Sequence, residues 1–327
     1  MLVTLSRVCS VLFLTAGLGV AAAATAASTD WPQRPIQIIV PFQAGSATDL
    51  ITRQLGVALG KELGQSVVVE NRPGAAAAIG STAAARAKPD GYTLLMSGPA
   101  SMVTNALMMP NLSYDPESFE KIALVAQTPN VLLSSPAMPF KTLEEMVAYA
   151  KANPGKLSYA SFGTGTTSHL AGELLKQQAG IDLLHVPYKG AGEAIPALLG
   201  GQVSMYFDTI MTALPQVNTG ALNALAISTG ERSDMAPDIP TVAEQGYPGF
   251  DIAPWYGLVA PGGTPPEVIE KVSAAVQKIV KDDDFQAQLA KTGAEILPAD
   301  RAAFDALIAA ERPRTQALIE QAGVKPN

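Results

Sequence analysis

Two loops 120 residues apart constrain this fold more than any other feature of the sequence. Ser161-Phe-Gly-Thr-Gly-Thr-Thr-Ser-His169 follows a short β-like run, Leu157 to Ala160, and leads into a segment whose Leu170, Leu174 and Leu175 share a helical face. Shifting back by 120 positions carries Phe162, Gly165, Thr166, Ser168, Leu170, Leu175 and Gly180 onto Phe42, Gly45, Ser46, Thr48, Leu50, Leu55 and Gly60. The earlier loop, Pro41 to Asp49, also follows a β-branched run, Ile36 to Val40, and opens an amphipathic helix. Two strand–turn–helix units of this kind predict two α/β lobes, each aiming a helix N-terminus into a shared cleft.

The chemistry of such junctions is that of anion capture. The first turn of a helix has N–H groups without intrahelical partners, its dipole favours negative charge, and glycine lets the backbone approach a ligand closely. Neither loop carries the Lys of a Walker phosphate loop, and an ordinary Ser/Thr-capped helix start is the structural alternative.

Residues 1–27 contain Arg7, an apolar run from Val8 through Ala23 and the small-residue pattern Ala24-Thr-Ala26, the marks of a cleavable secretory signal. Cys9, the only cysteine, lies within that stretch, so the mature chain is expected to have no disulfide or thiol chemistry. Without Arg7, 21 basic residues face 29 acidic ones, a net charge of −8. That disfavours nucleic acid as a partner and means that an anionic ligand must be attracted locally.

With 327 residues the chain is too long for one small core. A first crossing between lobes is expected between Tyr114 and Pro139, and a return over the apolar run Leu222 to Ile227. Lobe 1 then comprises residues 28–128 and 229–327, lobe 2 residues 129–228, each a mostly parallel sheet flanked by helices, with two crossings forming a hinge. Ser97 and Ser101 follow the strand Tyr92 to Met96, at the edge where parallel sheets bind ligands; their hydroxyls are candidate donors or plain turn residues. Asp208 ends the strand Val203 to Phe207, where its carboxylate either accepts from a ligand or caps the next helix.

Five separate stretches resemble the substrate-binding proteins of tripartite tricarboxylate transporters, the Bug family. They are Trp31-Pro-Gln-Arg-Pro-Ile with Ile39-Val-Pro-Phe42, Val67-Val-Val-Glu-Asn-Arg-Pro-Gly74, Lys88-Pro-Asp-Gly-Tyr-Thr-Leu-Leu95, His185-Val-Pro-Tyr-Lys-Gly190 and Pro240-Thr-Val-Ala-Glu244. The resemblance implies a two-lobed Venus flytrap that captures a small carboxylate in the periplasm and delivers it to a membrane permease. It also implies that the ligand is gripped between the two loops, by Phe42, Ala44, Gly45, Ser46, Ala47 and Asp49 in the first and by Phe162, Gly163, Thr164, Gly165, Thr166 and His169 in the second. Two departures stand out: Gly45-Ser46 replaces the family's usual Gly-Gly, and Ala76-Ala77 replaces another Gly-Gly, a change expected to affect only packing. Asp49 beside a carboxylate would repel it, so its expected role is to steady the helix N-terminus or orient loop amides.

The leading expectation is therefore a non-enzymatic, monomeric periplasmic receptor for a mono- or dicarboxylate, without cofactor or metal. A sensory ligand presenter with the same fold is the second reading. A secreted hydrolase is the third; the chain has two histidines, no Gly-x-Ser-x-Gly elbow and no His-Glu-x-x-His helix.

Overall fold

A computed structural model describes residues 31–321 and Gly323, so the expected signal segment lies outside the described residues. In chain order the strands are β1 (Ile36–Val40), β2 (Val67–Asn71), β3 (Thr93–Ser97), β4 (Glu120–Gln127), β5 (Asn130–Ser134), β6 (Leu157–Ser161), β7 (Leu183–Pro187), β8 (Met205–Thr209), β9 (Asn223–Ile227), β10 (Trp255–Ala260) and β11 (Glu295–Ile296). The helices are α1 (Ala47–Leu63), α2 (Ala78–Ala85), α3 (Asn105–Met108), α4 (Leu143–Ala152), α5 (Thr167–Ala179), α6 (Ala191–Leu199), α7 (Ile210–Asn218), α8 (Pro266–Ile279), α9 (Asp283–Ala290) and α10 (Arg301–Gln321).

The strands form two sheets on one plan, β11-β4-β10-β3-β1-β2 and β7-β6-β8-β5-β9. Three neighbours run parallel in each, β2-β1-β3 and β7-β6-β8. Beside them lies a reversed strand, β10 or β5, and then a strand that again follows the parallel set, β4 or β9. The period-2 pattern of β1 explains its two-sided burial: Ile36, Ile38 and Val40 enter one core and Ile39 the other. In the second sheet Leu157 and Tyr159 face one core and Ala160 the opposite one.

Helices α1 and α5 are the crossovers of the two parallel units, and each ends on a left-handed glycine, Gly64 at φ +69° and Gly180 at φ +63°. The 120-residue offset places Gly60 opposite Gly180, but Gly60 lies inside α1, which has 17 residues against 13 in α5. The repeat thus holds at the loops and fails at the far ends of the helices.

The chain leaves the first sheet after Gln127 and joins the second at Asn130. The run Leu222 to Ile227, expected as the return crossing, is instead β9 within the second sheet. The segment after it stays with that sheet because Ala236, Val242 and Phe250 bury in its two cores, and the chain re-enters the first sheet only at Trp255. The two connections lie side by side. Thr128 N–H donates to the Pro254 carbonyl at 3.0 Å, and Ile252 N–H to the Ser228 carbonyl at 3.0 Å. Ser228 Oγ accepts the Asn130 N–H at 3.0 Å and donates to the Ile252 carbonyl at 2.7 Å.

Helix α8 packs Val268, Ile269, Val272 and Val276 against the first sheet. Helix α10 does the same with Phe304 and Ile308 on the opposite face, while its Leu318 and Ile319 meet Leu170 of α5 and Met108 of α3. It therefore touches both halves of the molecule. Among the described residues, no helix is long and apolar enough to cross a membrane.

Candidate ligand site

The first loop is shaped from within. Gly45 sits at φ +80°, a conformation costly for residues with a side chain, and its N–H donates to Asp49 Oδ2 at 2.9 Å. Ser46 is the N-cap of α1, its Oγ accepting the Asp49 N–H at 3.3 Å. Asp49 is 2% exposed, and its other contacts come from Arg53 Nε at 3.0 Å, Arg53 Nη2 at 2.9 Å and Asn71 Nδ2 at 2.9 Å. Burial pushes this carboxyl up, but Arg53, the Gly45 amide and Asn71 together hold it below the usual carboxylate range. Asn71 Nδ2 also donates to the Phe42 carbonyl at 3.1 Å, so one network fixes both ends of the loop. The N–H groups of Ala47 and Thr48 have no acceptor among the described residues.

The second loop repeats the device with a different residue. Gly163 and Gly165 have φ of +125° and +88°. Gly165 N–H donates to His169 Nδ1 at 3.1 Å, which puts the His169 ring proton on Nε2. Gly163 N–H donates to Ser161 Oγ at 3.0 Å, and Ser161 Oγ is 2.6 Å from His185 Nε2. The two imidazoles lie 4.0 Å apart, centroid to centroid. Burial lowers His169 to about 4, with Lys176 adding to the effect, and lowers His185 to about 3, with His169 adding. Both are therefore neutral at pH 7. Tyr159 OH donates to Glu173 Oε1 at 2.6 Å, and Lys176 Nζ reaches both Glu173 oxygens at 2.9 Å. The Thr167 and Ser168 amides have no acceptor among the described residues.

Both helix starts open onto one cavity of about 60 Å³ between the sheets. Ser46, Ala47 and Thr48 reach it from α1, and Thr166 and Thr167 from α5. Among the described residues, no charged side chain lines it. Most of its hydroxyls are engaged elsewhere: Ser97 Oγ donates to the Gly257 carbonyl at 2.7 Å, Thr166 Oγ1 to the Gly163 carbonyl at 2.7 Å, and Tyr256 OH pairs with Thr128 Oγ1 at 2.9 Å. Thr48 and Thr167 hydroxyls have no protein partner among the described residues. Phe42 and Phe162 line this cavity and also an outer one of about 680 Å³, so both residues belong to the walls of the two.

Of the residues singled out in the sequence, Phe42, Ser46, Ala47, Ser97, Ser101, Phe162 and Thr166 line the inner cavity. Gly163 and Thr164 line the outer one. Ala44 and Gly45 are exposed on the loop, and Asp49, Gly165 and His169 lie behind the walls as supports. Asp208 is also off the cavity: fully buried, it accepts the Thr209 N–H on Oδ1 at 2.9 Å, and Oδ2 has no hydrogen-bond partner among the described residues. Burial pushes its carboxyl up to about 7.

Sequence reasoning missed Thr48, Thr167, Thr209 and the wall Pro254-Trp255-Tyr256. Placing the return crossing too early hid the last of these. The signal that marks them is Pro254 followed by two aromatics at the start of an apolar run, where a crossing delivers side chains to a cleft.

This arrangement defines a class, the two-lobed α/β periplasmic binding proteins. Residues 51–324 match the family described as tripartite tricarboxylate transporter family receptor, and the chain belongs to that family. BugT of Bordetella pertussis is 35% identical over 323 residues, covering 98% of each chain. An adipate-bound R. palustris protein superposes with a TM-score of 0.86 at 32% identity, covering 91% of this chain and 100% of the other. MatC from Rhodopseudomonas palustris with bound malate gives a TM-score of 0.82 at 32% identity, covering 88% and 99%.

Proposed function

We propose that this protein is a periplasmic receptor that captures a small organic carboxylate between its two lobes and delivers it to the membrane subunits of a tripartite tricarboxylate-type transporter. The observation that carries the reading is the convergence of two helix N-termini, with unpartnered amides and the free hydroxyls of Thr48 and Thr167, on one cavity without a charged side chain. Such a wall recognises an anion by amides and dipoles and presents no charged base to a substrate. The adipate and malate held by the two similar proteins point to the same ligand class.

In this reading the lobes part at Thr128–Pro129 and again near Ala253–Pro254, later than the 228/229 boundary expected from sequence. The paired connections there form the hinge about which the monomer closes. Residues 1–27 serve as the export signal.

A thermal-shift screen of carboxylates tests the proposal, since a ligand at 100 times its Kd adds about 2.7 kcal/mol of stability. For the acid that binds, calorimetry should show its primary amide weaker by roughly 10- to 150-fold, the equivalent of about 1.5–3 kcal/mol for a charge-assisted hydrogen bond. Equal affinity for acid and amide would refute anion capture at this site.

A further inference from the structure

The two ligand loops are held by chemically different supports. Gly45 N–H is accepted by a carboxylate paired with Arg53, and Gly165 N–H by a neutral imidazole nitrogen. A carboxylate held low keeps its acceptor oxygens down to acidic pH; an imidazole loses its acceptor lone pair when it takes a proton. Protonated at Nδ1, His169 would face the Gly165 amide donor to donor. A second string runs parallel to the first, from Gly163 N–H through Ser161 Oγ to His185 Nε2, and its ring is 4.0 Å from that of His169. Two positive charges at that spacing exclude each other, so at most one of the two rings takes a proton.

We propose that His169 is a positioning residue, its neutral Nδ1 holding Gly165 and with it the second ligand loop, so that acidification loosens this loop while the first stays in place. The groups facing His169 are Glu173 and Lys176 on its own helix, Tyr159 on β6 and His185 on β7. Glu173 Oε1, 4.0 Å from Nε2, is occupied by Tyr159 OH and Lys176. It is thus poorly placed to stabilise an imidazolium. From the other half of the molecule, the side chains nearest to where a Gly165 Cβ would stand are the uncharged Met108 and Thr104. The depressed ionisation of both histidines agrees with a pair built to remain neutral.

The functional consequence rests on the carboxylate-receptor reading, but the positioning itself is tested without any ligand. Two variants separate the possibilities: His169→Leu removes the acceptor, and His169→Asn restores an uncharged acceptor oxygen that does not titrate. Asn serves better than Asp because Glu173 is adjacent. In the parent, nitrogen shifts should show Nδ1 unprotonated at pH 7. The protection factor of the Gly165 amide should fall about 5-fold in His169→Leu, the loss of one neutral hydrogen bond, and recover in His169→Asn. Below pH 5 protection should fall in the parent and stay level in His169→Asn.

Adipate and malate titrations of parent and His169→Asn at each pH then read the consequence. The ratio of the two dissociation constants cancels the acid's own ionisation and should shift in favour of His169→Asn on acidification. Unchanged Gly165 protection in His169→Leu, or an identical pH profile in His169→Asn, overturns the proposal. Failure of every carboxylate to bind the parent sinks the receptor reading instead, and leaves the protection result to decide the role of His169.

Discussion

Asp49 accepts the amide of Gly45 four residues before it, at 2.9 Å, in the place where His169 accepts the amide of Gly165 at 3.1 Å. The same step from a left-handed glycine to the first turn of a helix is thus closed in both halves of the molecule. Because Asp49 also joins Arg53 and Asn71, its loss breaks the network that ties α1, β2 and the first loop. Asp49→Ala should destabilise the fold by about 2–3 kcal/mol, the scale of hydrogen bonds to a buried charge, and weaken carboxylate binding. Asp49→Asn keeps one acceptor and should lose less. Urea denaturation of the three proteins gives the ranking; an Ala variant as stable as the parent would show that the network carries no weight.

Gly165 makes the second case. At φ +88° a side chain is strained by roughly 1–2 kcal/mol, and its Cβ would meet Met108 Sδ at 3.1 Å and Thr104 Cγ2 at 3.3 Å, across the gap between the two sheets. The cost therefore falls on the approach of the lobes as well as on the turn. Gly165→Val should fold, with reduced stability, and should resist closure. Small-angle scattering with saturating carboxylate should show the parent contracting and the variant not; equal contraction would remove this glycine from the closing contact.

The loops were legible because their chemistry is local. Strand, glycine turn and helix start succeed one another over a short stretch at both places; Ser46 caps α1 and Gly165 takes the left-handed turn, as their residue types suggest, although Thr166 at the start of α5 makes no side-chain cap. The cavity walls contributed by Pro254, Trp255 and Tyr256 were not, because they arrive through a connection whose position depends on where Val242 and Phe250 bury. That is a tertiary fact: an apolar residue does not announce which of two sheets it will cover. The supports were half legible. Asp49 was readable as an orienting residue from its place beside an anion site, whereas the acceptor role of His169 required the ring's orientation. Asp208 had two readings from its place at the end of a strand, ligand contact or capping; it lies off the cavity and accepts the amide of Thr209, the residue that opens α7.

The substitution of Ala76-Ala77 for two glycines has a backbone consequence that the sequence expectation of a packing effect did not include. Ala75, Ala76 and Ala77 all have positive φ, at 47°, 47° and 74°. Each such alanine costs roughly 1–2 kcal/mol relative to its preferred conformations, against about 0.4–1 kcal/mol that glycine loses through the unfolded chain. Ala77 is buried, so removing its methyl also leaves a gap; Ala76 is only partly buried. Ala76→Gly should therefore stabilise the protein, by up to about 1 kcal/mol. A lower denaturation midpoint in this variant would mean that the turn is not held as described.

Asp208 gives the clearest dependence on pH. Its folded-state ionisation is raised to about 7 by burial, against an ordinary 3.8, and Oδ2 has no hydrogen-bond partner among the described residues. Between these values the folded state holds a proton that the unfolded state has released. Stability contributed by this residue is thus fully present below about pH 4 and is lost as pH rises towards 7. The span corresponds to on the order of 4 kcal/mol at most. Asp208→Asn retains an oxygen for the Thr209 amide and cannot ionise, so it should match the parent near pH 4 and exceed it in stability by a few kcal/mol at pH 8. The histidines, pushed the other way, lose their contribution as pH falls, but they are present in both proteins and cancel in the difference. Chemical denaturation of parent and variant at the two pH values decides it: a difference that does not change with pH would mean that Asp208 is ionised throughout, stabilised by a partner that fills the space at Oδ2.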